Sequence, residues 1–244
     1  MNTQATTRTV AVMQPYLFPY IGYFQLAAQS DRFVFSNDRK FINGGWINRN
    51  RLRVNNAPWM FTVPLRKPSQ NCMIDEAEVL IDGRFLNKFM RTLKHNYAHA
   101  PHLDAVSALC EDVFRDPPAT IDQLASRSVC RVMSYLGLPF DSCDSRGRYG
   151  NDHLKGEARV IDTVLQEKGT HYLNLPGGRE LYNAQHFADA GLKLGFVETV
   201  NEPYPQASEP FMPFLSILDV LLWNDRGTVC RWLQDEGRSD RLES

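Results

Sequence analysis

Apolar residues follow two rhythms along the chain, one unbroken or of period two and one close to period 3.6, and the two alternate. "RTVAVM" is a short β-branched run that stops at Gln14-Pro15, which predicts a buried strand. "YFQLAAQSD" then fits about two helical turns, and "RFVFS" fits a second strand, so the first forty residues predict a βαβ unit. Asn43-Gly44-Gly45, set between apolar and aromatic flanks in "FINGGWI", predicts a β-hairpin turn. "PWMFTVPL" and "AEVLID" predict two further strands.

A helical rhythm takes over next. Phe85, Leu86, Phe89, Met90, Leu93 and Tyr97 share one helical face over 83–97. Helices follow at about 102–115 and 119–136, the second stopped by Gly137 with Pro139 beyond it. "NDHLKGEARVIDTVLQEKG" predicts a helix capped by Asn151 or Asp152 and ended at Gly169. "THYLNL" and "LKLGFVE" are strands around a short helix, "NAQHFADAG". "FMPFLSILDVLLWND" and "TVCRWLQDEG" close the chain as helices. The expected fold class is therefore α/β: a mostly parallel sheet flanked by helices, with a β-hairpin and a helical insertion in the middle. One domain spanning 1–244 is expected, its helical insertion at about 83–137.

Composition sharpens this only at the margins. The 244 residues are 43% hydrophobic and 23% charged with a formal net charge of -1, so neither a nucleic-acid partner nor a membrane surface is expected. No apolar run approaches the roughly 18 residues of a membrane span. The first residues lack the apolar core of a signal peptide, and a cytoplasmic location is expected. The five cysteines are widely spaced with no Cys-x-x-Cys pair, which predicts free thiols.

Candidate chemistry gathers around the ends of the early strands. In "MQPYLFPYIGYFQL", Pro15 and Pro19 stiffen a turn after the first strand, and Gly22 permits close approach. Gln14 begins that turn, and Tyr16, Tyr20 and Tyr23 offer flat faces with hydroxyl tips. Open α/β sheets present ligands at this place, although the same aromatics would also plug one end of the sheet. "SNDRKFINGGWINRNRLR" follows the second strand and interleaves Asp38, Lys40, Arg49, Arg51 and Arg53 with Phe41, Trp46, Asn48 and Asn50. Guanidinium groups there would recognise phosphate and Trp46 would cover a ring, or the stretch would be a solvated basic hairpin. His171 and Tyr172 sit on a late strand, one facing in and one out. His95, His99 and His102 lack a third ligand of recognisable spacing and Pro101 interrupts the helix, so no metal is expected. Cys143 is the one thiol in a polar setting, without a base identifiable by spacing.

"QPYLFPYIGYFQL", "GWINRNR", "YLNLPGGRELY" with "GLKLGF", and "FLSILDVLLWN", in that order, resemble the WbqC-like protein family nearly end to end. Where that family often carries two adjacent acids after the second strand, this chain has Asn37-Asp38. The resemblance implies a bacterial enzyme of surface-polysaccharide (O-antigen) biosynthesis, an acyl or aminoacyl (glycine-type) transferase acting on a nucleotide-activated amino sugar. Asp38 would be base or orienter, with His171 the next candidate. Lys40 and Arg49 would hold phosphate, Asn48 the sugar, and Tyr20, Tyr23 and Trp46 ring faces, with Gln14, Tyr16 and Tyr172 also on the substrate. The donor would be a thioester, with an acyl carrier protein among the partners, or ATP with magnesium. More distantly, Tyr20-Ile21-Gly22-Tyr23 resembles the HxGH turn of nucleotidylyltransferases with tyrosine at both histidine positions, which gives a triphosphate-using enzyme as the alternative. A non-catalytic pathway binding module is the third reading.

Overall fold

Alternation along the first strand, β1 (Thr9–Met13), decides the layers. Ala11 packs into one apolar cluster, while Val10 and Val12 pack into another on the opposite face. A strand buried on both faces belongs to a parallel sheet covered by helices on each side. The computed structural model describes residues 7–66, 71–199 and 202–234.

β1 is central. β2 (Arg32–Phe35) pairs with it in parallel through α1 (Ile21–Ala28), and β5 (Ser142–Asp144) lies outside β2. On the other side come β6 (His171–Asn174) and β7 (Lys193–Phe196), giving the order β5-β2-β1-β6-β7 with each pairing parallel. Residues Ile21 through Ala27 of α1 are all buried, as expected of a helix apolar all round. That face of the sheet also carries α4 (Ile121–Leu136) and α8 (Arg226–Leu233). The opposite face is covered by α5 (Gly156–Gln166) and α6 (Ala184–Asp189), through Val160, Val164 and Phe187.

Between the hairpin and β5, α2 (Gly83–Asn96), α3 (Leu103–Phe114) and α4 follow one another, and Gly137 ends α4 at φ +73°. A glycine can take that left-handed value without a Cβ clash. α7 (Ile217–Trp223) precedes α8. Among the described residues no helix is long and apolar enough to cross a membrane.

Four expectations are corrected. The hairpin joins β3 (Arg49–Val54) to β4 (Ala57–Thr62), and its turn is Asn55-Asn56 at φ +50° and +60°, not Asn43-Gly44-Gly45. Asparagine tolerates the left-handed region, so two in succession serve a two-residue turn. "AEVLID" forms no strand, because Val79 and Glu78 make only isolated bridges, to Leu65 and Thr120. α5 starts at Gly156, since Asn151 is buried and spends its side chain on Arg159, Asp162 and Thr163. α7 starts at Ile217, where Ser216 caps it, and not at Phe211. β5 went unpredicted: "SCD" is too short and polar to show a period.

Candidate functional site

The chain runs from β1 to β2 on one side of β1 and later returns to β6 on the other, which makes the C-terminal ends of these strands a topological switch point. A cavity of about 560 Å³ opens there. Met13 and Gln14 line it from the end of β1, Ser36 and Arg39 from beyond β2, and Asn174 and Gly178 from the end of β6. Gly156 and Glu157 at the start of α5 complete the wall with Tyr182. A second cavity of about 210 Å³, lined by Tyr16, Pro19, Tyr20, Trp46, Asn50, Arg51 and Phe214, shares Tyr16 and Tyr20 with the first.

The tyrosine-bearing turn is held by buried hydrogen bonds. Phe18 has φ +41° and is fully buried. Its N–H donates to Ser128 Oγ at 2.9 Å, and its carbonyl accepts from Asn50 Nδ2 at 2.7 Å and Ser216 Oγ at 2.8 Å. A bulky side chain in that backbone region is strained and persists only where its surroundings over-determine it. Leu17 N–H also donates to the Trp46 carbonyl, so the turn and the tryptophan loop are joined through the main chain. A Cβ on Gly22 would sit 2.4 Å from the Tyr20 ring and 2.7 Å from Thr199 Cγ2. Gly22→Ala is therefore expected to displace the ring both cavities share and to lower stability by about 1–3 kcal/mol, measured by urea denaturation.

Two charged groups face the larger cavity. Arg39 is half-buried; its Nε donates to Ser36 Oγ at 3.0 Å, and its terminal nitrogens meet no acceptor among the described residues. Burial, and then the nearby Arg159 charge, push its pKa down, yet a guanidinium stays charged near neutrality. Glu157 accepts from the Asn183 amide and pairs with His186 Nδ1. Burial acts to raise the Glu157 carboxyl, but those hydrogen bonds outweigh it and hold the group below its usual range. The cavity thus combines a guanidinium whose terminal nitrogens meet no acceptor among the described residues, an ionised carboxylate and tyrosine hydroxyls that burial keeps protonated.

Of the residues singled out from sequence, Gln14, Tyr16, Tyr20 and Trp46 line the two cavities. Tyr23 is sealed in the core with its hydroxyl on the Gln14 carbonyl at 2.9 Å. Asn48 is buried and donates to the Val63 carbonyl. Arg49 folds back onto the carbonyls of Gly44 and Gly45 and braces that loop, while Lys40 is exposed beside Asn71. Asp38 accepts from Ser145 Oγ at 2.7 Å and is ion-paired with Arg159, outside the cavity lining. His171 lies at the start of β6, the end of the strand remote from the cavity; burial, then Lys193, lower its pKa. Tyr172 is buried behind Tyr182, hydroxyl to hydroxyl at 3.1 Å. Cys143 contacts Tyr149 and Glu167, and burial raises its pKa. α2 ends at Asn96, so His95 and His99 do not share a helix, and no metal-holding group of acids, histidines and cysteines occurs among the described residues.

Sequence reasoning passed over Arg39, Glu157, Asn174 and Phe214, while Arg51 was among the candidates. Arg39 sits within the stretch already flagged, and Glu157 in the first turn of a foreseen helix. Phe214 carries no local signal.

The strand order and the position of the cleft define an open parallel α/β protein with its crevice at the switch point. The chain belongs to the WbqC-like protein family, whose profile matches residues 14–229. It is also similar to a Mycobacterium tuberculosis (strain H37Rv) protein described as uncharacterized protein Rv1507c. The two are 26% identical over 218 residues, 88% of this chain and 93% of the relative. No solved structure matches.

Proposed function

We propose that the larger cavity binds a nucleotide-activated amino sugar and that the protein transfers an acyl or aminoacyl group to the sugar amine, in bacterial surface-polysaccharide (O-antigen) or related biosynthesis. The observation that carries the reading is Arg39, a half-buried guanidinium whose terminal nitrogens meet no acceptor among the described residues, in one cavity with the ionised Glu157. Arg39 suits a diphosphate, which accepts charge-assisted hydrogen bonds in a fork. Glu157 suits the neutral amine, accepting a hydrogen bond from it and taking the proton that it loses as the nitrogen attacks. The amine nitrogen forms the new bond to the acyl carbon, and the bond from that carbon to a thiolate or to AMP breaks. The amine proton passes to Glu157. An acyl thioester, free or on a carrier protein, or an adenylate made from ATP with magnesium would serve as donor.

Glu157 fits the acid–base task better than Asp38 or His171, because it lines the cavity and they do not. Asp38 acts here by anchoring Arg159, and with it α5, to the segment after β2. His186 holds the carboxylate in orientation from behind.

Calorimetric titration with UDP-glucosamine and UDP-glucose tests the reading. Arg39→Ala should weaken both by about 10- to 100-fold, the loss of one charge-assisted contact. Glu157→Gln should weaken UDP-glucosamine and spare UDP-glucose. Equal affinity of wild type and Arg39→Ala for both ligands would remove Arg39 from the site. Stabilisation by nucleoside triphosphates with magnesium, and none by sugar nucleotides, would point to the nucleotidylyltransferase-like reaction, and binding without transfer to a pathway binding module. With Glu157 held low, the part of UDP-glucosamine affinity that depends on Glu157 should persist on acidification and be lost only below about pH 4.3, the ordinary glutamate value.

A further inference from the structure

The smaller cavity differs in chemistry from the larger one it adjoins. Its walls are the rings of Tyr16, Tyr20, Trp46 and Phe214, with the Arg51 guanidinium lying 5.1 Å from the centre of the Trp46 ring. Phe214 is 53% exposed at φ +57°, a strained placement for a bulky side chain that leaves its ring in solvent at the cavity edge. It is held there on purpose-built contacts: Arg51 Nη2 donates to its carbonyl at 3.2 Å, and Ser216 N–H, two residues on, donates to the Arg51 carbonyl. Arg51 is part-exposed here, and its Nη1 meets no acceptor among the described residues, Nη2 being the nitrogen that holds the Phe214 carbonyl. A guanidinium N–H left open at a cavity wall is a donor that a ligand can take.

An apolar chain in this box would leave that donor unmatched, and a bare sugar would make poor use of four rings. A planar heteroaromatic ring bearing a carbonyl satisfies both features, since any base stacks on aromatic faces and a base carbonyl accepts from arginine. Building on the sugar-nucleotide reading of the larger cavity, we propose that the Tyr16–Tyr20–Trp46–Phe214 box seats the nucleobase, that Arg51 donates to a base carbonyl, and that the substrate is a uridine, thymidine or guanosine diphosphate sugar. Adenine has no exocyclic carbonyl and is the base this box disfavours. Phosphates would then pass the shared Tyr16 and Tyr20 toward Arg39 in the larger cavity.

The full chain should be titrated with UMP, AMP and glucosamine 1-phosphate. UMP is expected to bind about tenfold more tightly than AMP. Trp46→Ala and Phe214→Ala should each weaken UMP by about tenfold and leave glucosamine 1-phosphate unchanged, while Trp46→Phe restores most of the UMP affinity. Arg51→Lys, which keeps the charge and removes the forked guanidinium donors, should erase the preference for UMP over AMP. UMP affinity indifferent to Trp46→Ala, or AMP binding as tightly as UMP, overturns the base assignment; retained glucosamine 1-phosphate binding then leaves the larger-cavity reading standing. Tight UMP binding that depends on Trp46, with no binding of glucosamine 1-phosphate or UDP-glucosamine, supports the base seat and removes the sugar reading. Failure of every probe overturns both.

Discussion

Replacing Asp219 by alanine is expected to cost about 3–5 kcal/mol of unfolding free energy. Asp219 is fully buried, and its carboxylate accepts from Tyr97 Oη at 2.6 Å, Tyr204 Oη at 2.6 Å and Gln206 Nε2 at 2.9 Å. Burial pushes its pKa up, and the hydrogen bonds from Tyr204, Tyr97 and Gln206 oppose that shift. Tyr97 Oη in turn accepts from the Arg53 amide, so the network ties α2, the hairpin and the segment before α7 together. Alanine would leave the Tyr97 and Tyr204 hydroxyls buried without an acceptor, each costing about 1–3 kcal/mol, while the Gln206 amide keeps the Met212 carbonyl. At 2–4 °C per kcal/mol for a chain of this size, melting should fall by about 10 °C or more. Asp219→Asn keeps the shape and part of the bonding and should lose roughly half as much. Differential scanning calorimetry of the two variants checks both values; equal melting of wild type and alanine variant would show that the network contributes nothing net.

Arg159→Met should also be costly, by about 3–5 kcal/mol, and should damage the cleft as well as the fold. Arg159 is 6% exposed, donates through Nε to Asn151 Oδ1 at 2.9 Å, and pairs through Nη2 with Asp38 and Asp152. Asp38 is the neighbour of Arg39 on one wall, and Arg159 stands on α5 two residues from Glu157 on the other. The pair therefore spans the cleft at its base. Methionine fills similar volume but leaves the Asp38 carboxylate buried beside a neutral chain. Affinity for the sugar nucleotide should fall with stability, since small displacements of positioning groups are costly. Asp38→Asn, which removes the charge and keeps its oxygen for Arg159 while its NH2 donates to Ser145 in reverse, separates the roles. Stability and affinity falling together would mark Asp38 as a positioning residue; lost transfer with unchanged stability and affinity would make it the base.

Much of the sheet was legible because its strands are buried on both faces. "RTVAVM", "RFVFS" and "LKLGF" are apolar runs between turn residues, and the helices announce themselves by their spacing. β3 was not legible: "RNRLRV" alternates, but its charged positions read as a solvated loop, although Leu52 and Arg53 are both buried. At the site, aromatic shelf residues were legible from their place after β1. The choice among arginines was not. Arg39, Arg49, Arg51 and Arg53 are alike in sequence, and only the fold turns Arg39 toward a cavity, Arg49 toward its own loop and Arg53 toward Gln206. His171 shows the same limit on a strand of four residues, where three positions carry a side chain from one end of the sheet to the other.

Tyr16 and Tyr20 form a party wall between two hollows. Any shift of those rings that enlarges one compartment trims the other, so the first occupant sets the terms on which the second enters. Thermodynamic linkage makes the effect mutual: whatever factor one guest imposes on its neighbour's dissociation constant, the neighbour returns.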